Sequence, residues 1–206
     1  NTFGSMSATR LRMAGPIKTG PVTVSTADAN VGRFISVGNP YPSAIDYASP
    51  STVKTGLQDV YYIWDPALGT YGAYQTFLAP FYDATPGGGS YGGGNKFIES
   101  GQAFFVRANN SVAPHSITIN EQSKVGSNQL VTRVDLLGKK LSTRLFVGTG
   151  SNAALFDGNR VYFDAAFTNA VDDGDAIKMT NFGESIGILR DGHMISVERR
   201  AEIVNT

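Results

Sequence analysis

The run Gly183-Glu184-Ser185-Ile186-Gly187 fits the G-x-S-x-G pattern that holds a nucleophilic serine on a strained turn between a strand and a helix. Its chemistry would be acyl transfer, which also needs a base. The continuation Ile188-Leu189 is strand-like and ends at Asp191-Gly192, with His193 the single histidine nearby, so the pattern predicts no hydrolase. Gly87, Gly89 and Gly92 formally match G-x-G-x-x-G, which cradles a pyrophosphate when a buried strand precedes it and a helix follows. Thr85-Pro86 stands before it and more glycine after it, which removes that context. Asp172-Asp173-Gly174-Asp175 is the densest acidic cluster, and carboxylate oxygens on a tight loop suit a hard cation. Calcium is thus the one cofactor the sequence suggests, with Asp157 or Asp164 as further ligands. Aspartate is equally an ordinary turn residue, and a solvated turn stays open beside the metal. His115 and His193 stand apart and read as exposed loop residues. Glu99, Glu121 and Asp135 offer carboxylates, but no pair has a separation that the sequence fixes.

Aromatic residues offer a different chemistry. Tyr61, Tyr62, Trp64, Tyr71, Tyr74, Phe77, Phe81, Tyr82 and Tyr91 crowd one third of the chain, and exposed flat rings on a sandwich can stack on sugars. Alternation sends Tyr62 and Trp64 to one face of their strand and Tyr61 and Ile63 to the other, so that one set belongs to the core. Trp64, Tyr71, Tyr74 and Tyr82 are the candidate ligand-binding residues.

The elements that must position these groups are strands. Period-two alternation marks Thr9–Met13, Pro21–Ser25, Arg33–Val37, Val60–Trp64 and a returning strand within Thr70–Phe77. It continues in Ala103–Arg107, Ser116–Asn120, Lys140–Val147, Arg160–Phe163, Ala176–Met179, Ser185–Leu189 and Met194–Val197. Gly, Asn, Asp or Pro bounds each one. Ala103-Phe104-Phe105-Val106 is apolar on both faces and so central. The segment from Pro86 to Gly94 has almost no side-chain area to bury and reads as a mobile surface loop. Glu121 to Asn128 is the most polar interval and reads as a linker between parts at 1–120 and 129–206.

With 206 residues, 24 of them Gly, no Cys and only 17% charged residues, the composition matches many short strands joined by turns. The fold class is all-β, an antiparallel β-sandwich or jelly roll, built as one large or two packed sandwiches. Seventeen basic residues balance seventeen acidic ones with no run of either sign, which argues against nucleic acid and against an anionic membrane surface. No apolar run reaches the length of a membrane span. The start without Met and the periodic finish from Val197 to Val204 suggest a piece of a larger protein.

Three motifs carry a family likeness: Gly38-Asn39-Pro40-Tyr41-Pro42-Ser43-Ala44-Ile45-Asp46, then Tyr62-Ile63-Trp64-Asp65-Pro66, then Ser100-Gly101-Gln102-Ala103-Phe104-Phe105-Val106. Together they resemble a module of large secreted surface proteins of Bacteroidetes, many exported by the type IX secretion system. Tyr47 stands where that family often has Trp, and Ala103 where it often has Gly. The resemblance implies a secreted, cell-surface setting. Physically, Gly38, Asn39, Pro40, Tyr41 and Pro42 read as a structural corner, with the prolines fixing φ, Gly38 free to take a positive φ and the Tyr41 ring as a seal. The expected function is a non-enzymatic structural or interaction module of an adhesin, fibre or surface layer. Its partners would be other domains of the same polypeptide or identical subunits. The alternative is a carbohydrate-binding module that takes glycans on the aromatic platform, with calcium assisting.

Overall fold

The computed structural model describes residues 14–26, 31–91, 97–109, 114–126 and 139–202. Its strands are Val22–Thr26 (β1), Phe34–Gly38 (β2), Ile45–Asp46 (β3), Thr52–Thr55 (β4), Leu57–Asp65 (β5), Ala73–Leu78 (β6) and Phe97–Ile98 (β7). Then come Ala103–Ala108 (β8), His115–Ile119 (β9), Lys139–Val147 (β10), Ala154–Phe163 (β11), Ala176–Ile177 (β12), Ile188–Arg190 (β13) and His193–Arg200 (β14). Two short 3-10 turns are the only helical elements among the described residues. The Thr9–Met13 strand expected from alternation lies outside them.

Three layers result. The middle one is the antiparallel sheet β2-β8-β5-β6. Its core strand alternates as the pattern demands: Tyr61 and Ile63 of β5 join Phe77, Phe104, Val106, Ile117 and Ile119 in one apolar cluster, which the β1-β9-β4 sheet and the β3-β7 pair help to close. Val60 and Tyr62, the intervening residues, join Leu78, Tyr162, Ala176 and Val197 in a second cluster on the opposite face. Both faces of β5 are therefore core, because the β10-β11-β14-β12 sheet covers the side that a two-layer sandwich would leave wet. Phe104 and Phe105 split the same way in β8, whose place between β2 and β5 matches its doubly apolar sequence. Face-to-face stacking of Tyr61 on Phe77, with centroids 4.6 Å apart, adds about 0.5–1.5 kcal/mol to their burial. In the third layer β11 and β14 run parallel, from Arg160 opposite Val197 to Phe163 opposite Arg200, an exception to the otherwise antiparallel pairing.

The interval expected as a linker is docked as far as it is described. Glu121–Ser123 forms a 3-10 turn in which Ser123 is buried and accepts a 2.9 Å bond from the Thr52 hydroxyl. The Val125 N–H donates to the Ala44 carbonyl at 3.0 Å. Local polarity marks this turn's hydrogen bonding to the body, while residues 127–138 lie outside the described ones.

The Gly38–Pro42 corner is held by side chains. Asn39 Oδ1 accepts the Tyr41 N–H at 3.0 Å, and Asn39 Nδ2 faces the carbonyls of Ser43, Ile98 and Glu99 at 2.8 to 3.0 Å. Tyr41 is 2% exposed and its hydroxyl donates toward the carbonyls of Gly20 and Ile119. Gly38 is not the hinge: its φ is not positive and a Cβ there would meet nothing within 4 Å. The sharp turn comes from the Asn39 side chain bonding its own backbone two residues on.

Candidate functional site

The sequence nominated Trp64, Tyr71, Tyr74 and Tyr82 as one platform, and the fold keeps Trp64 and Tyr74 in contact but places Tyr82 in the cluster on the other face of the middle sheet. Tyr82 is core: it is 7% exposed, its ring lies against Tyr47 and Tyr61, and its hydroxyl donates to Asp59 Oδ1 at 2.8 Å. Burial, with the Asp59 charge adding to it, pushes that hydroxyl well above the usual tyrosine range. Tyr74 is half-buried, edge-on to Phe105 and Trp64, and packs against the second cluster. Trp64, on the same face of β5 as Tyr62, is partly covered by the hairpin turn, where a Cβ at Gly72 (φ +85°) would stand 2.5 Å from its ring. Of the four, Tyr71 alone is fully displayed, at 71% exposure.

A residue that alternation did not single out completes the exposed aromatic surface. Phe182 is 85% exposed and meets Trp64 edge-on, with centroids 5.7 Å apart. It sits in the irregular segment between β12 and β13, opposite the β5–β6 turn. The two segments form a shallow groove whose walls include Tyr71, Phe156, Asn181, Gly183 and Glu184. They touch where a methyl at Gly183 would stand 3.9 Å from the Tyr71 ring, and the Tyr74 N–H donates to Asn181 Oδ1 at 2.9 Å across them.

One buried carboxylate anchors both ends of this segment. Asp157 of β11 pairs with Lys178 just after β12, the side chains being 0% and 2% exposed, and its other oxygen accepts the Ile186 N–H at 2.8 Å. Burial, opposed by Asp157, holds the Lys178 ammonium below the ordinary lysine range. Asp157 is thus committed to a clamp and is not free to join a cation site. The G-x-S-x-G run Gly183–Gly187 lies within the clamped segment, between strands instead of between strand and helix, and Ser185 Oγ accepts the Asn181 N–H at 3.2 Å.

Asp172, Asp173 and Asp175 occupy the turn before β12, and their oxygens serve it. Asp172 accepts from the Gly174 N–H and the Thr168 hydroxyl, and Asp175 from the N–H groups of Asp172 and Arg199. Asp173 accepts from Gln58 Nε2 at 3.3 Å. Burial raises the Asp175 carboxyl above its ordinary range, which disfavours the charged form a cation requires. Asp164 bonds the Ala166 N–H in a turn of its own. Among the described residues no group of three or more His, Cys, Asp and Glu side chains is arranged to hold a metal ion. His193 is exposed at the start of β14, paired with Arg190, but His115 is 0% exposed at the head of β9, opposite Thr26.

The glycine-rich segment corrects its own expectation up to Tyr91. Gln75 and Asp65, both 0% exposed, reach it: the Gly87 N–H donates to Gln75 Oε1 at 3.0 Å, Gln75 Nε2 to the Gly88 carbonyl at 3.1 Å, and the Ser90 N–H to Asp65 Oδ2 at 2.9 Å. A Cβ at Gly89 (φ +57°) would stand 2.4 Å from that same oxygen. Absent side chains let the backbone close on buried polar groups, so hydrogen bonds order what apolar area does not. Residues 92–96 of the segment lie outside the described ones.

Among the described residues no helix is long and apolar enough to cross a membrane. No protein-family model, no curated protein and no solved structure matches the chain.

Proposed function

We propose that this chain is a non-enzymatic, extracellular structural module of a larger bacterial surface protein, coupled to a second copy of itself through the open edge of β10. The carrying observation is that strand's exposure. β10 is nine residues long, pairs among the described residues with β11 alone, and is exposed along almost its whole length. Lys140, Ser142 and Arg144 turn toward Asp83, Arg160 and Pro86, leaving Leu141, Thr143 and Leu145 on the other face. Leu141 at 58%, Phe146 at 53% and Val147 at 41% exposure give the edge an apolar character that a solvated strand would not need. A free edge offers its unpaired N–H and C=O groups to an added strand, and apolar side chains beside it supply the contact area. The three sequence motifs that resemble secreted Bacteroidetes proteins support the extracellular setting.

Sedimentation velocity over a concentration series tests this coupling. The chain is expected to form discrete oligomers, and Phe146→Glu or Leu141→Lys to return it to a monomer while changing stability by less than about 0.5 kcal/mol, as exposed sites do. A wild-type chain that stays monomeric at its solubility limit overturns the reading.

A further inference from the structure

We propose, resting on the β10 edge as the coupling surface, that two copies join there as an antiparallel two-fold pair centred on Thr143, which continues the β10-β11-β14-β12 sheet into its copy. β10 runs from Lys139 to Val147 without a bulge of its own, because the register shift in its pairing with β11 leaves Phe156 of β11 as the extra residue. Its side chains therefore alternate without a break. Lys140, Ser142, Arg144 and Phe146 share the face turned toward the middle layer, and Lys139, Leu141, Thr143, Leu145 and Val147 share the other.

Charge selects the register. The charged residues of β10, Lys139, Lys140 and Arg144, are all basic, and like charges directly opposite one another destabilise a ladder. A two-fold axis normal to the sheet keeps each face on its own side, so a residue can stand opposite only one of the same face. With the axis at Thr143, Leu141 stands opposite the second copy's Leu145, Thr143 opposite Thr143, Ser142 opposite Arg144, Lys140 opposite Phe146 and Lys139 opposite Val147. No cation meets a cation, and all of 139–147 is paired. Moving the axis to Ser142 sets Lys140 against Arg144 twice, and moving it to Arg144 sets that guanidinium against its own copy. An axis at Leu141 or Leu145 avoids both clashes but pairs only 139–143 or 143–147. The Thr143 axis also gathers Leu141 and Leu145 of both copies around the central threonines, which covers the 58% exposed Leu141, and lays the 53% exposed Phe146 opposite a Lys140 stem.

The chain has no cysteine, so single introduced cysteines read the register. Residues directly opposite in an antiparallel pair have Cα atoms about 4.5–5.5 Å apart, within reach of a disulfide, whereas Leu141 and Leu145 would each lie roughly 13 Å from their own copies. On oxidation at a concentration where the wild type self-associates, Thr143→Cys is expected to form covalent dimer roughly fivefold faster, or more, than Leu141→Cys or Leu145→Cys alone. Mixing Leu141→Cys with isotope-labelled Leu145→Cys should give the mixed dimer as fast as Thr143→Cys does, read by mass spectrometry. All three positions are exposed or half-buried, so the fold should hold. Self-association in which Thr143→Cys crosslinks no faster than the other two single variants overturns this register and leaves the edge as the interface. A wild-type chain that stays monomeric overturns both.

Discussion

Asp157→Ala is expected to cost about 3–5 kcal/mol, because it leaves the Lys178 ammonium buried without a counter-charge and the Ile186 N–H without an acceptor. Among single substitutions in the third layer this should be the most damaging. Denaturant titration gives the loss, and a second variant separates the charge from the packing. Replacing both partners, Asp157→Leu with Lys178→Met, removes the orphaned charge, so most of the stability should return, with a residue of about 1–3 kcal/mol for the unpaired Ile186 N–H. The pH profile carries an independent signature. Lys178 already titrates below its ordinary value because burial outweighs Asp157, and losing Asp157 depresses it further. A lysine with a folded pKa below its unfolded value of about 10.4 binds fewer protons when folded, so stability rises with pH between the two values. Asp157→Ala should therefore gain stability more steeply than wild type as pH rises toward the unfolded lysine value. A loss below 1 kcal/mol, or a pH profile parallel to wild type, would show that the pair is not buried as described.

The clamp also explains why part of this protein is legible in its sequence and part is not. Period-two alternation found β5, β8 and β9 because burial there follows from side-chain type, and it found β10 from its alternating residue types although that strand is exposed. It missed β4, where Thr52-Val53-Lys54-Thr55 is a partly exposed edge strand on β9, and β7, only Phe97-Ile98 long. Strands of that length are made by the neighbour they pair with and leave little pattern of their own. Tyr82 was misread for a related reason: an aromatic beside turn residues looks exposed until Tyr47 and Tyr61, which alternation places elsewhere, are brought over it. Phe182 was passed over because a single phenylalanine between Asn181 and Gly183 has no periodicity to report. Its prominence depends on Asp157, 25 positions away in the chain. The three-layer stacking was likewise hidden, although the doubly apolar run Val60-Tyr61-Tyr62-Ile63 held the signal: a strand with no polar face needs a cover on both sides.

The glycine-rich segment shows the same limit from the other side. Counting side-chain area predicts mobility, and area is the wrong quantity where Asp65 and Gln75 are buried with hydrogen bonds to fill. Buried polar side chains with unassigned partners, read along β5 and β6, are the signal that would have pointed to an ordered backbone beside them.

The corner yields the second large effect. Asn39→Ala is expected to cost about 3 kcal/mol, since it strips the donor facing three carbonyls and the acceptor of the Tyr41 N–H, all within a site 7% exposed. Those carbonyls belong to Ser43 and to the end of β7, so the loss should loosen β3 and β7 together, and hydrogen exchange at Ile45 and Ile98 should quicken before that of β10. Asn39→Asp sharpens the test. It keeps the Oδ1 acceptor and the volume, yet sets a carboxylate oxygen against three carbonyl oxygens, so at neutral pH it should be less stable than Asn39→Ala. Those carbonyls raise its folded pKa above the unfolded value of about 3.9. A carboxyl raised in the folded state is most favourable below its unfolded value and loses that advantage as pH rises through the folded one. Asn39→Asp should thus recover toward Asn39→Ala as pH falls through the folded value, because the protonated acid can again donate to one carbonyl. Equal stability of the two variants at pH 7 would mean that the amide is not the stitch of the corner, and would return that role to the prolines on either side of Tyr41.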